Sequence, residues 1–360
     1  MTPAAKGPSW LAQGLILLGV IFQLLLGAVL GTLFIALAGG SVPGLLLLAL
    51  SFVLALAVHE LGHVLFGLWR GFEFVELGIG PLVLGRSGVR WGSGGRLGFA
   101  LMVPPPDGGD DGDWRWFLSG GVLLGFMAGC AALVLSPRAP GAAHALLLGF
   151  GLVSTLLAAL NALPFGRPQS DGVRVWRLRR GAPERAQDLA VLRLTGFSLR
   201  GWSPDEWSAA DLGTLERPLS NPTLELAAAT ARFEHAAWTG QAFGCELRRL
   251  ESVRDRLPSR LLRAAANASL ALGWARLGEL EHASRALRAA DVPQLRGVAP
   301  HLLLLAQMAV ALGEGDRQRA LAIHVAAART PVRGGELVYR RWLDRLAEEL
   351  RPGQPGAFGP

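Results

Sequence analysis

A mostly α-helical chain in two parts is what the sequence predicts: a polytopic membrane helix bundle with a small β element in one loop, followed by a cytoplasmic, repeat-like helical domain. Three observations point there. The first half carries four apolar runs, each long enough to cross a bilayer. The charge is concentrated in the second half: residues 1–172 hold 8 Lys+Arg and 8 Asp+Glu, and the remaining 27 basic and 20 acidic groups follow, carrying the whole net charge of +7. Beyond residue 222 the pattern is of amphipathic helices broken by glycine or proline at a recurring spacing. With 51% hydrophobic and only 18% charged residues the chain is unlike a soluble domain, where about a quarter are charged, and has too much apolar surface to stay disordered.

The four runs are Trp10–Ala38, Pro43–Leu68, Phe117–Leu135 and Ala142–Leu163. A hydrocarbon core of about 30 Å takes roughly 20 residues of helix, so the sequence predicts four transmembrane helices over 10–38, 43–68, 117–135 and 142–163. The first is read as a retained helix and not a signal peptide ending at Ala36-Leu37-Ala38, because its apolar stretch is about twice the usual length. Arg174, Arg177, Arg179, Arg180 and Arg185 follow the fourth run, and such clusters stay on the cytoplasmic side. Both termini, the 69–116 loop and the charged half are then cytoplasmic, in a multi-pass protein of the cell membrane. The basic cluster lacks interleaved stacking aromatics and abuts a membrane span, so no nucleic-acid partner is expected. Arginine supplies 34 of the 35 basic residues, the composition of a GC-rich, bacterial genome. In the 69–116 loop, Phe72–Leu77 and Leu97–Val103 read as strands between Gly- and Pro-rich turns.

Inside the second run stands His59-Glu60-Leu61-Gly62-His63. Histidines at i and i+4 share one helix face about 6 Å apart, a separation that suits two nitrogen ligands on one zinc ion. Glu60, next to the first ligand, suits a general base. Ionisable groups within a membrane span are costly and mark function. A third protein ligand is needed. The candidates are Asp107, Asp110, Asp111 and Asp113 in the loop run Asp-Gly-Gly-Asp-Asp-Gly-Asp, otherwise a solvated turn, and Asp171 after the fourth run. Composition leaves both open. Cys130 and Cys245 stand in no metal or disulfide spacing.

His59-Glu60-Leu61-Gly62-His63 running on to Gly71 and Gly78-Ile79-Gly80-Pro81, then Gly121-Val122-Leu123-Leu124-Gly125, then Asn161-x-x-Pro164 with Asp171-Gly172, together resemble the site-2 proteases, the zinc intramembrane metalloproteases. The resemblance covers about residues 45–180, with three motifs in family order. It implies Zn2+ bound by His59, His63 and Asp171, Glu60 as catalytic base, and Asn161 holding the substrate or the developing oxyanion. Two departures stand out. The interval from Pro164 to Asp171 is seven residues where many members have five, and the middle motif ends in Gly125 where Asn is common. Entering at Pro43, His59 lies about 24 Å along its helix, near the cytoplasmic end and so level with Asp171.

Residues 173–221 read as a basic linker, 222–350 as the helical domain and 351–360 as a flexible tail. Gly240-x4-Cys245, Gly278-x4-Ala283 and Gly315-x4-Ala320 recur at intervals of 38 and 37 residues. This resembles a short tetratricopeptide-like array, which implies a concave surface for a peptide or protein partner. The expectation is an intramembrane endopeptidase cutting single-pass membrane proteins within or beside the bilayer. Its alternative is a non-catalytic membrane scaffold acting through the helical domain.

Overall fold

The computed structural model describes residues 41–86, 88–91, 97–163, 170–179, 184–332, 336–348 and 350. The expected helix over 10–38, the Pro164 motif position and the expected tail at 351–360 lie outside the described residues. The chain divides into two compact units, one comprising residues 1–105 and 109–183, the other residues 106–108 and 184–360.

In the first unit three helices are long and apolar enough to cross a membrane: α1 (Val42–Trp69), α2 (Asp111–Leu135, prolonged by a 3-10 turn to Arg138) and α3 (Gly141–Ala162). They match the second, third and fourth apolar runs. On α1 the buried positions are Ser51, Ala55, Leu56, His59, Glu60, Gly62, His63, Val64 and Gly67, a stripe in which small and polar residues outnumber the two aliphatic ones. Leu46, Leu50, Val53, Leu61, Leu65 and Leu68 are exposed on the remainder of the surface. A soluble helix turns its aliphatic face inward; here it faces outward, as lipid contact demands. The inner faces meet through small residues. A Cβ on Gly62 would run into the Gly120 carbonyl, and one on Gly129 would lie 2.6 Å from Thr155 Oγ1. Those glycines let the helix backbones approach closely.

A short antiparallel sheet joins α1 to α2: β1 (Glu73–Ile79), β2 (Leu82–Gly85), β3 (Gly88–Trp91) and β4 (Gly98–Val103), in the order β3-β2-β1-β4. β1 and β4 are the two strands the alternation predicts, and their pairing runs from Glu73 opposite Val103 to Ile79 opposite Gly98. Helix α2 begins six residues before the expected Phe117. Asp110 caps it, accepting from the Asp113 backbone N–H at 2.8 Å, while the Asp113 carboxylate accepts from the Asp110 N–H at 2.9 Å. The acidic run expected as a solvated turn is therefore a helix start with a reciprocal cap. Asp113 also ties α2 to the end of α1 by accepting from Arg70 Nε at 2.7 Å. A helix of about two turns, α4 (Asp171–Arg177), completes this unit's described elements.

The α-helices of the second unit's described residues are α5 (Arg185–Arg200), α6 (Ala209–Thr214), α7 (Pro222–Thr239), α8 (Gly244–Arg254), α9 (Arg260–Arg276), α10 (Leu280–Ala290), α11 (Pro293–Val298), α12 (Pro300–Gly313), α13 (Arg317–Arg329) and α14 (Leu337–Glu348), and no strand occurs among those residues. Residues 184–221, read from sequence as linker, are part of this unit: Leu194, Phe197, Trp207 and Leu212 are buried in one core with Phe233, Leu247 and Trp342. The arginines of α5 conceal an apolar face of helical period.

The recurring glycines are the turns of three helical hairpins, α7/α8, α9/α10 and α12/α13. Gly240, Gly278 and Gly315 all have left-handed φ, at 75°, 78° and 76°. Only glycine adopts that conformation without a Cβ penalty, which is why the spacing is visible in the sequence. Ala283 and Ala320 are fully buried at equivalent positions, whereas Cys245 is exposed.

Candidate metal centre

His59 and His63 lie one helical turn apart on the buried stripe of α1, with ring centroids 5.0 Å apart. Asp171, the first residue of α4, completes the group. His59 Nε2 is 3.1 Å and His63 Nε2 3.3 Å from the same oxygen, Asp171 Oδ2. One ligand atom from each of the three residues lies within 4.8 Å of the others. The chain reaches this position because Gly172 follows: a Cβ there would overlap the Ala162 carbonyl group at the end of α3. Asp-Gly thus combines a candidate ligand with the one residue that can pass so close to the helix end.

The lone-pair geometry fits a cation. His63 Nδ1 is 2.8 Å from the Phe117 carbonyl oxygen, which only accepts, so Nδ1 carries the hydrogen. His63 Nε2 then faces the Asp171 carboxylate oxygen. The three side chains converge closely enough to hold a metal ion, and the Phe117 carbonyl fixes the orientation of one imidazole. Burial alone would raise the Asp171 carboxyl, but the two imidazoles outweigh it and hold it well below the usual carboxylate range.

The wall opposite the ligand nitrogens is bare. A Cβ on Gly121 would stand 2.5 Å from His63 Nε2 and 2.9 Å from His59 Nε2, so α2 presents backbone alone where the ligand atoms point. Gly125, one turn on, instead serves packing: its carbonyl accepts from Ser154 Oγ at 2.8 Å. His59 Nδ1 is buried beside Gly125 and has no hydrogen-bond partner among the described residues.

Glu60 is 7% exposed, and strand β4 passes directly over it: a Cβ on Gly98 would be 2.5 Å from Glu60 Oε1. Of the candidate third ligands, Asp171 joins the histidines, while Asp110 and Asp113 are engaged in capping α2. Asn161 sits in the last turn of α3, where its side-chain nitrogen donates to the Leu157 carbonyl at 3.0 Å, a bond within its own helix. Three contributors escaped sequence reasoning: the Phe117 carbonyl, the bare face of Gly121 and the crossing at Gly98. Only Gly121 left a trace, as the first residue of the middle motif. Comparison with family models, curated proteins and solved structures found no match.

Proposed function

We propose that this chain is a zinc-dependent intramembrane endopeptidase of the site-2 protease type. One observation carries the reading: two histidines and a buried glutamate on the inner stripe of a helix whose outer surface is aliphatic meet an aspartate from α4. Zinc held by His59, His63 and Asp171 would supply a Lewis acid that polarises a peptide carbonyl and acidifies water. The Phe117 carbonyl keeps His63 in the tautomer that ligates. Glu60 takes a proton from the attacking water and returns one to the amide nitrogen as the C–N bond breaks.

A helical substrate hides its carbonyls in its own hydrogen bonds and must be unwound. β4 is an edge strand, and its first residue lies over Glu60. An extended segment added to that edge would be drawn past the base, which is strand addition used for cleavage. The arginines after α3 argue for a cytoplasmic second unit, where helical hairpins recruit or filter membrane-protein substrates.

The test compares the membrane proteomes of cells carrying wild-type and Glu60→Gln protein. The expected result is a single-pass protein that accumulates uncut in the mutant, while zinc remains bound to the purified variant. Cleavage that persists in Glu60→Gln overturns the reading, and an unchanged proteome moves it to a scaffold acting through the second unit.

A further inference from the structure

The second unit contains a cavity of about 370 Å³ between α5, α7, α9, α12 and α14, unrelated to the histidine cluster. Its volume falls within the roughly 300–1,000 Å³ range of small-molecule sites. The walls are mostly aliphatic, with Leu194, Leu226, Leu262 and Leu302 among them, and Glu234 and Tyr339 stand in this lining.

Glu234 is the unusual member. It is 5% exposed, and the group that hydrogen-bonds it is the Tyr339 hydroxyl. Three other buried acids of this unit pair with arginines: Glu225 has Arg249 at 2.6 Å, Glu246 has Arg232 at 2.8 Å and Asp211 has Arg193 at 3.6 Å. No basic side chain pairs with Glu234 among the described residues. A buried carboxyl without a counter-ion is costly, and at the wall of an open apolar cavity it is complementary to a charge brought from outside.

We propose that this cavity binds a small organic cation, an apolar body bearing one ammonium or guanidinium head, with Glu234 as its counter-ion. The aliphatic walls take the body, and the head meets the Glu234 carboxylate, which keeps the hydrogen bond donated by Tyr339. Burial pushes the Glu234 carboxyl up to about 8, so it is protonated at neutral pH in the free protein. Tyr339 is the titratable group acting on it, with Glu336 behind Tyr339. Arrival of a cation favours the carboxylate, so binding releases a proton to solvent. A free amine and a lysine or arginine side chain on a peptide share this chemistry.

The experiment uses the full chain in lipid nanodiscs, with empty nanodiscs as blank, and titration calorimetry at neutral pH in two buffers of different ionisation enthalpy. The probes are cyclohexylmethylammonium, its neutral isostere cyclohexylmethanol, the anion cyclohexanecarboxylate, and a short peptide with one lysine between leucines. The expected result is an ammonium affinity about ten- to a hundredfold above that of the alcohol, with release of about one proton. Glu234→Gln should erase both effects and leave the alcohol's affinity unchanged. Tighter binding of the peptide than of the free ammonium would assign the cation to a side chain. The proposal is overturned if no probe binds, if the alcohol or carboxylate binds as tightly as the ammonium, if no proton is released, or if the preference survives Glu234→Gln. The wild-type comparison of probes stands whether or not the variant folds.

Discussion

At Gly121 there is no room for a side chain, because a methyl group would stand 2.5 Å from His63 Nε2 and 2.9 Å from His59 Nε2. Gly125 lies on the same helix face one turn later, yet a Cβ there would meet nothing nearer than 3.7 Å. The two positions therefore differ in their bearing on the proposed metal site. Gly121→Ala should strip zinc from the purified protein, whereas Gly125→Ala should retain about one ion per chain; elemental analysis of both variants decides this, and zinc retained in Gly121→Ala would contradict the geometry. The histidines and Glu60 were legible because their relation is local, set by 3.6 residues per turn. Asp171 lies 112 residues from His59, so its part rested on resemblance until the fold brought it within 3.1 Å.

Among the elements, α2 shows what periodicity overlooks. Its apolar run begins at Phe117, but the helix starts at Asp111 because Asp110 and Asp113 satisfy each other's backbone N–H groups. A run of aspartates and glycines resembles a turn unless the reciprocal i, i+3 pair is noticed, and here Asp stands at the position where the usual box has Glu or Gln. The cap also fixes where Phe117 falls, and its carbonyl orients His63. Asp110→Ala should lower unfolding stability by about 1 kcal/mol, read from denaturation in detergent, and leave zinc content intact. Asp171→Ala should do the reverse to zinc, removing it. Loss of zinc in Asp110→Ala with retention in Asp171→Ala would exchange their roles. The β2–β3 hairpin was not anticipated, since its four-residue strands among glycines carry too little alternation.

On the scale of the whole molecule, the two units differ in what their long helices expose. The first exposes Leu46, Phe52, Leu65 and Leu68 along α1 and Phe126, Met127 and Val134 along α2. The second buries Phe233, Leu247, Leu305 and Trp342 and exposes arginines such as Arg285, Arg296 and Arg319. Three helices with aliphatic outer faces are stable where lipid surrounds them. The protein should accordingly stay in the membrane pellet after an alkaline carbonate wash; release to the supernatant would show that those faces are covered by something other than lipid. Apart from residues 106–108, the second unit begins at residue 184, within the segment whose composition reads as linker. Charge dominates the composition of α5, yet Leu194 and Phe197 lie three residues apart on its buried face.

Sequence alone determined the features that depend on near neighbours in the chain. These are the three apolar helices among the described residues, the i, i+4 histidines with their glutamate, the β1 and β4 strands, and the left-handed glycines that punctuate the hairpins. Each follows from a short-range period or from the steric freedom of one residue. Tertiary structure decided the rest: that Asp171 and not Asp110 meets the histidines, that Gly121 clears the space before them, that β4 crosses Glu60, and that Glu234 sits at a cavity without a cation. Those depend on which distant segments come into contact, and that is settled by how closely small residues let helices approach and which buried polar groups find partners.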